Sequence, residues 1–340
     1  MIARLVIAAL LACGFANAQP ATVRIGVLGL FEPTQLQLAP VDGGVLRFEF
    51  AGQHALEGSG TATIEASGDS IVATVNGRRL SGERLLIEHP TRFELGVPGK
   101  LSRRYFGALA ITAHSGKLQP VVTMPLERAV AAVLAAESDL AGPEQALLAQ
   151  SVASRSYLSA GSRHDAFDFC DTTHCQYLTD SFDTRAERIA NATSGSVLRV
   201  GGEILRAMFM RSCDGRTRTP QELGLPGGVS YQAAACPICA REPHTWTRTH
   251  ALADVDELIR ERTEQARLNV VRRLGWDAIP SNAYQATVIG DAVTLHGAGE
   301  GHGMGLCQRG AVGLARQGEA WQAILQRYFP GATIQVAATN

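Results

Sequence analysis

The sequence predicts an α+β protein, with a β-rich N-terminal part followed by a helical part with mixed short strands. Up to about residue 122, short apolar–polar alternations are separated by turn residues, which is the period of strands. From Pro125 onward the apolar residues recur at helical spacing. No clear linker, internal repeat or low-complexity tract separates the two parts, so the boundary near 122 rests on the change of period alone.

In the first part, Val23-Arg24-Ile25-Gly26-Val27 alternates, and Val45 to Phe50 does so nearly as well. Further short runs lie at Thr61–Ile64, Ile71–Val75, Leu85–Glu88 and Leu109–Thr112. Asp42-Gly43-Gly44, Gly58-Ser59-Gly60 and Ser67-Gly68-Asp69 supply turns, and Asn76-Gly77 predicts a tight hairpin. In the second part, Pro125 to Glu137 reads as a helix whose buried stripe is Leu126, Val130, Val133 and Leu134. Glu137 continues that stripe, so its carboxylate is expected to sit partly out of water, with a raised pKa, at a helix end beside a turn. A second helix is expected from Pro143 to about Ala160, with the small residues Ala146, Ala149 and Ala153 allowing close approach of a neighbour. Further helices are expected over Val255 to about Leu274 and Glu319 to Tyr328.

The chain begins with the pattern of an export signal, residues 1–18: Arg4, an apolar run from Leu5 to Phe15, and Ala16-Asn17-Ala18 as a cleavage site. Leu10-Leu11-Ala12-Cys13 also has the form of a lipoprotein box, but the lone basic residue and the Ala-x-Ala site favour cleavage after Ala18. The apolar run is too short for a membrane span and no later stretch qualifies, so a periplasmic or secreted protein is expected. A net charge of −1 leaves no basic surplus to neutralise phosphates, which argues against a nucleic-acid partner. Arg103-Arg104 and Arg272-Arg273 read as solvated surface.

Three constellations carry chemistry. The loop from His164 to Gln176 holds His164, Cys170, His174 and Cys175, a donor set suited to zinc. An exported chain also allows a Cys170–Cys175 disulfide, but paired histidines have no reason to join a bare disulfide. The second is Gly297-Ala298-Gly299-Glu300-Gly301-His302-Gly303-Met304-Gly305, a glycine-rich turn that reads as a wall of a site, with His302 available for proton transfer or hydrogen bonding. The third is Cys213, the Cys236-Pro237-Ile238-Cys239 motif and Cys307. These four permit three disulfide pairings or a four-thiolate zinc site, and structural disulfide bridging is the expectation.

Four blocks in order resemble the SpoIID/LytB family of bacterial cell-wall proteins. They are Pro125 through Glu137, Pro143 through Tyr157, Cys170-Asp171-Thr172-Thr173-His174-Cys175-Gln176, and Gly301-His302-Gly303-Met304-Gly305 through Ala311. The resemblance covers about residues 100 to 333. With the export signal and the change of period, the expected domain plan is signal peptide 1–18, β-rich region 19–122 and a catalytic domain at 123–340 that resembles this family. The resemblance implies a lytic transglycosylase acting on peptidoglycan glycan strands stripped of stem peptides, with Glu137 as acid/base; His302, read from its own chemistry, is expected to assist. Structural zinc is implied at His164, Cys170, His174 and Cys175, and substrate contacts at Gln150, Arg155, Tyr157, Gly301, Gly303 and Gln308. The chain departs from the family pattern at Arg211 to Gly215 and at Ser138-Asp139. A lytic transglycosylase can work with one carboxylate, whereas a hydrolytic glycosidase normally needs two. The alternatives are a non-catalytic wall-binding modifier that stimulates a cell-wall amidase, and a zinc hydrolase with an open metal position.

Overall fold

The computed structural model describes residues 21–50, 53, 55–179, 182–225 and 232–336. The expected signal at 1–18, including Cys13, lies outside them.

Ten strands come first: β1 (Thr22–Gly26), β2 (Gln35–Pro40), β3 (Leu46–Phe50), β4 (Leu56–Gly58), β5 (Ala62–Ser67), β6 (Ser70–Val75), β7 (Arg78–Gly82), β8 (Arg84–Val97), β9 (Leu101–His114) and β10 (Lys117–Pro125). Asn76 and Gly77 both take positive φ, 50° and 77°, and pair β6 with β7 in the tight hairpin that the Asn-Gly step predicts. The long strand β8 changes partner along its length. Leu85 and Leu86 face β3, and Phe93 to Gly96 face β2, with an irregularity between Ile87 and Thr91 separating the two halves. With β11 (Phe169–Cys170) at one edge, the sheet runs in the order β11-β1-β10-β9-β8-β2-β5-β6-β7, with β3 also on β8 and β4 on β3. Its edge strand β11 (Phe169–Cys170) comes from the later part of the chain and lies parallel to β1.

Helix α1 (Leu126–Glu137) follows β10 without a loop, Pro125 serving as N-cap and the Leu126 N–H reaching Ala21 O at 3.1 Å. The expected boundary at 122 therefore falls inside β10. One continuous core joins β1, β2, β5, β6, β8, β9 and β10 to α1, with Ile25, Phe93, Tyr105, Val122, Val130 and Leu134 all buried in it. Helix α2 (Glu144–Ser159) is buried from Ala146 to Leu158. It is wrapped by α1, α3 (Thr184–Ala192), β12 (Ser196–Val200), and the later helices α7 (Gln308–Arg316) and α8 (Trp321–Tyr328). Between these lie β13 (Glu203–Ile204), β14 (Phe209–Met210), α4 (Pro237–Arg241) and β18 (Leu306–Cys307), while β19 (Thr333–Val336) pairs with β12 at the end.

A second unit was only half legible. Strands β15 (Thr245–Ala251), β16 (Tyr284–Ile289) and β17 (Ala292–Ala298) form a three-stranded sheet backed by α5 (Leu252–Glu261) and α6 (Glu264–Leu274). Trp246, Val255, Leu258, Val270 and Leu295 make its own core. The single helix expected over Val255–Leu274 is two. Arg262 turns left-handed at φ 53° and Thr263 caps α6, its side chain accepting from Ala266 N–H at 3.1 Å.

Arg155 on α2 has no solvent exposure, and its five N–H groups meet five acceptors. Nε and Nη2 take the two oxygens of Glu127 on α1 at 2.8 and 2.5 Å, Nη2 also takes Ala190 O on α3, and Nη1 takes Thr193 Oγ1 and Ser196 O. Arg155→Met leaves the Glu127 carboxylate without its cationic partner, with only the Ser194 hydroxyl still donating to it, and is expected to cost about 3–5 kcal/mol in a urea unfolding titration.

Candidate active site

Glu137 is the last residue of α1; Ser138 is extended and Asp139 to Gly142 make a turn. A cleft of about 670 Å³ opens there, within the size range of small-ligand sites. It is lined by Glu137, Ser138 and Asp139 at the end of α1, Gln150 on α2, and Arg211, Ser212, Glu300 and Gln308 from later segments. Burial raises the Glu137 pKa above its ordinary value, and the carboxylate also sits at the negative end of the α1 dipole. Two interactions oppose this shift: the Tyr177 N–H, which donates to Glu137 Oε1 at 3.1 Å, and the charge of Arg211. Gln308 Nε2 donates to the Glu137 carbonyl at 2.8 Å, fixing the helix end.

Three polar side chains of the cleft, Ser138, Gln150 and Ser212, have buried polar atoms with no partner among the described residues. Gln150 and Ser212 are only 3% and 5% exposed. Buried polar groups are nearly always paired in proteins, so three unpaired ones around one cleft fit a ligand rich in hydroxyl and amide groups. The other carboxylates of the cleft are engaged: Glu300 Oε1 with Arg211 Nη1 at 3.0 Å, and Asp139 Oδ1 with the Ala141 N–H at 3.0 Å.

The loop bearing the Tyr177 amide is held from two directions. β11 adds it to the large sheet, and Asp171 accepts from Leu28 N–H at 3.0 Å and from Arg103 Nη1 at 2.7 Å. Arg103 also lies over the Tyr177 ring, 5.4 Å from its centre. The reading of Arg103 as solvated surface is therefore corrected, because its guanidinium is an internal brace between sheet and loop. Within this loop His164, Cys170, His174 and Cys175 bring one donor atom each within 4.8 Å of one another. Cys170 Sγ lies 3.2 Å from Cys175 Sγ and 3.6 Å from His174 Nδ1, and His164 Nε2 lies 3.3 Å from Cys175 Sγ. Zn–S and Zn–N bonds of about 2.3 and 2.0 Å give tetrahedral edges close to these separations, so the donor set fits zinc.

The other expected site residues divide. Gln150 and Gln308 are at the cleft. Arg155 is not, because it is consumed by the internal ion pair. Tyr157 is buried, its hydroxyl accepting from Arg163 Nη1 at 3.1 Å and its ring packed against Phe169 behind the His/Cys loop. Gly301 takes φ 110° and has no room for a side chain, a Cβ there lying 2.9 Å from Met210 Cβ, while the Gly303 carbonyl accepts from Arg218 N–H. These two glycines shape the turn and do not line the cleft. His302 is also outside the cleft lining. Its Nε2 donates to Phe209 O at 2.9 Å, its Nδ1 accepts from Met304 N–H at 3.0 Å, and desolvation holds the imidazole pKa below its usual range. Both nitrogens of a neutral ring are thus committed to the backbone, which leaves none for a substrate proton. The residues missed in the sequence are Ser138, Arg211, Ser212 and the Tyr177 amide. Ser138, Arg211 and Ser212 carried a signal, since they stand where the chain departs from the family pattern.

Residues 114–200 match the SpoIID family model, described as Stage II sporulation protein, and the match suggests a cell-wall-related role. It spans α1, α2, the His/Cys loop and α3. An uncharacterized protein of Brachyspira hyodysenteriae is 23% identical over 269 residues, covering 68% of this chain and 72% of that protein. Among the described residues, no helix is long and apolar enough to cross a membrane.

Because the Glu137 pKa is raised in the folded chain, the folded state holds the proton more tightly than the unfolded one. That contribution to stability is present below the ordinary value of about 4.5 and is lost as pH rises through the folded value. Glu137→Gln escapes this loss. The variant is expected to melt higher than the unmutated protein at pH 7, with the gap closing as pH falls through the raised folded value and gone below about 4.5, as followed by calorimetry across pH.

Proposed function

We propose that this protein is a peptidoglycan lytic transglycosylase, exported to the cell wall, that cleaves glycan strands with Glu137 as its acid/base. The observation that carries the reading is the pairing of one carboxyl group held toward its protonated form with three unpartnered polar side chains in the same cleft. Tyr177 N–H occupies Oε1, which leaves Oε2 to carry the proton. The carboxyl group gives that proton to the glycosidic oxygen as the bond from the muramic C1 breaks. The resulting carboxylate then takes the proton of the muramic 6-hydroxyl as that oxygen bonds to C1. Water is not consumed, and the product ends in a 1,6-anhydro ring. Holding the 6-hydroxyl close to C1 replaces the second carboxylate that hydrolysis requires. Ser138, Gln150 and Ser212 bind and orient the sugars.

Zinc at His164, Cys170, His174 and Cys175 is part of the proposal. Four protein donors close the coordination sphere, so the ion acts as a structural clamp that holds the loop presenting the Tyr177 amide to Glu137. None of the four donors lines the cleft, which supports a supporting role over that of a zinc hydrolase.

Mass spectrometry of denuded glycan strands after incubation with the protein tests this reading. Expected products end in 1,6-anhydro-muramic acid. Glu137→Gln should lower their rate of formation by about 10²–10⁴-fold, and Glu300→Gln should retain most of it. Reducing-end products would instead indicate hydrolysis. Absence of cleavage by folded, glycan-bound protein would favour a modifier that stimulates an amidase.

A further inference from the structure

We propose that Cys213, Cys236, Cys239 and Cys307 bind a second zinc ion in a closed four-thiolate site. The sequence allowed disulfides here, and bridging was the expectation. In the structure all four cysteines are free thiols, and their sulfurs lie together within 4.8 Å of one another rather than in two bonded pairs. Cys239 Sγ and Cys307 Sγ are 3.6 Å apart. Bonds of about 2.3 Å from zinc to sulfur give a tetrahedron with edges near 3.8 Å, whereas a disulfide bond is about 2.0 Å. All four cysteines are 2% exposed or less, so the site is shielded from solvent and presents only sulfur, a set that selects zinc among the common divalent ions.

The surroundings are those of thiolates. Cys213 N–H and Gly310 N–H each lie 3.3 Å from Cys307 Sγ, and the Tyr328 hydroxyl lies 3.1 Å from Cys236 Sγ. Donors of this kind spread the charge of a four-thiolate site and fix the sulfur positions. Cys307 is the N-cap of α7, whose positive end also faces the sulfurs. Gly310 has to lack a side chain, because a Cβ there would stand 2.6 Å from Cys236 Sγ. The ligands come from three segments. Cys213 follows β14, Cys307 ends the parallel strand β18, and Cys236 and Cys239 frame the first turn of α4, tied back by Cys236 N–H to Gly215 O at 2.8 Å.

The ion would join these segments directly behind the cleft. Arg211 and Ser212 immediately precede Cys213, and Gln308 and Arg309 immediately follow Cys307; all four residues line the cleft that holds Glu137. The site shares no ligand with the His164 cluster, and its cysteines belong to a different hydrophobic core from the one Cys175 packs against. It stands whether or not the protein cleaves glycan.

The test is elemental analysis and X-ray absorption on the full protein and on a Cys170→Ser, Cys175→Ser double variant. The double variant is expected to keep one zinc per chain, ringed by four sulfur scatterers at about 2.3 Å. Loss of all zinc from a folded double variant, or nitrogen in the shell of the zinc that remains, would overturn the proposal. Should the variant fail to fold, non-reducing peptide mapping of the unmutated protein decides. Peptides bearing the four cysteines are expected unlinked, and alkylated faster once a chelator has removed zinc. Disulfide-linked peptides, or alkylation indifferent to the chelator, would overturn it.

Discussion

A guanidinium with no access to water has to find a partner for every N–H, and Arg155 finds its partners on four different elements. The Glu127 carboxylate comes from α1, carbonyls from α3 and β12, and a hydroxyl from the turn between them. Leaving any of these unmet inside the core is costly, so the helices can assemble in one register only. That register sets where α1 ends. Because α1 grows out of β10 without a loop, its far end at Glu137 is fixed relative to the large sheet as well.

Fixing the end of a helix under a carboxylate creates a conflict. Burial and the helix dipole both oppose the charge, while the Tyr177 amide and Arg211 favour it. The net effect is a raised pKa, so desolvation prevails. The opposing donor is itself carefully supported. Tyr177 belongs to a loop stitched to β1 through β11 and braced by Arg103 through Asp171, with the donor atoms of His164, Cys170, His174 and Cys175 gathered within 4.8 Å of one another. The N-terminal strands are therefore a platform for the cleft rather than an appended module, which is why sheet and helices share one core.

What was legible in the sequence was local. Asn76-Gly77 specified its hairpin because positive φ at two consecutive positions is a strong requirement, and α1 was legible because its apolar stripe is long and its ends are marked. The donors of the His/Cys loop sit close in sequence, so their gathering could be anticipated. Long-range partnerships could not. Arg155 and Tyr157 look like exposed polar residues of a site until Glu127 and Arg163 are seen to consume them. His302 in a glycine-rich turn has the look of a proton carrier, yet the backbone on both sides of the ring takes its nitrogens. The four distant cysteines read as bridges because spacing cannot say that their sulfurs meet at one point. The break at Arg262 was invisible because an arginine in the left-handed region leaves no compositional mark.

At the cleft, the fold holds the Glu137 carboxyl group toward its protonated form. The most direct measurement is an NMR titration of the Glu137 side-chain carboxyl carbon in selectively ¹³C-labelled protein. A midpoint above the ordinary value of about 4.5 is expected, and it falls when the Tyr177 loop and Arg211 stay in place but the cleft is opened to water, as by Gln308→Ala. A midpoint at or below about 4.5 in the unmutated protein would contradict it, leaving Glu137 a solvated helix-end carboxylate without the means to act as an acid near neutral pH.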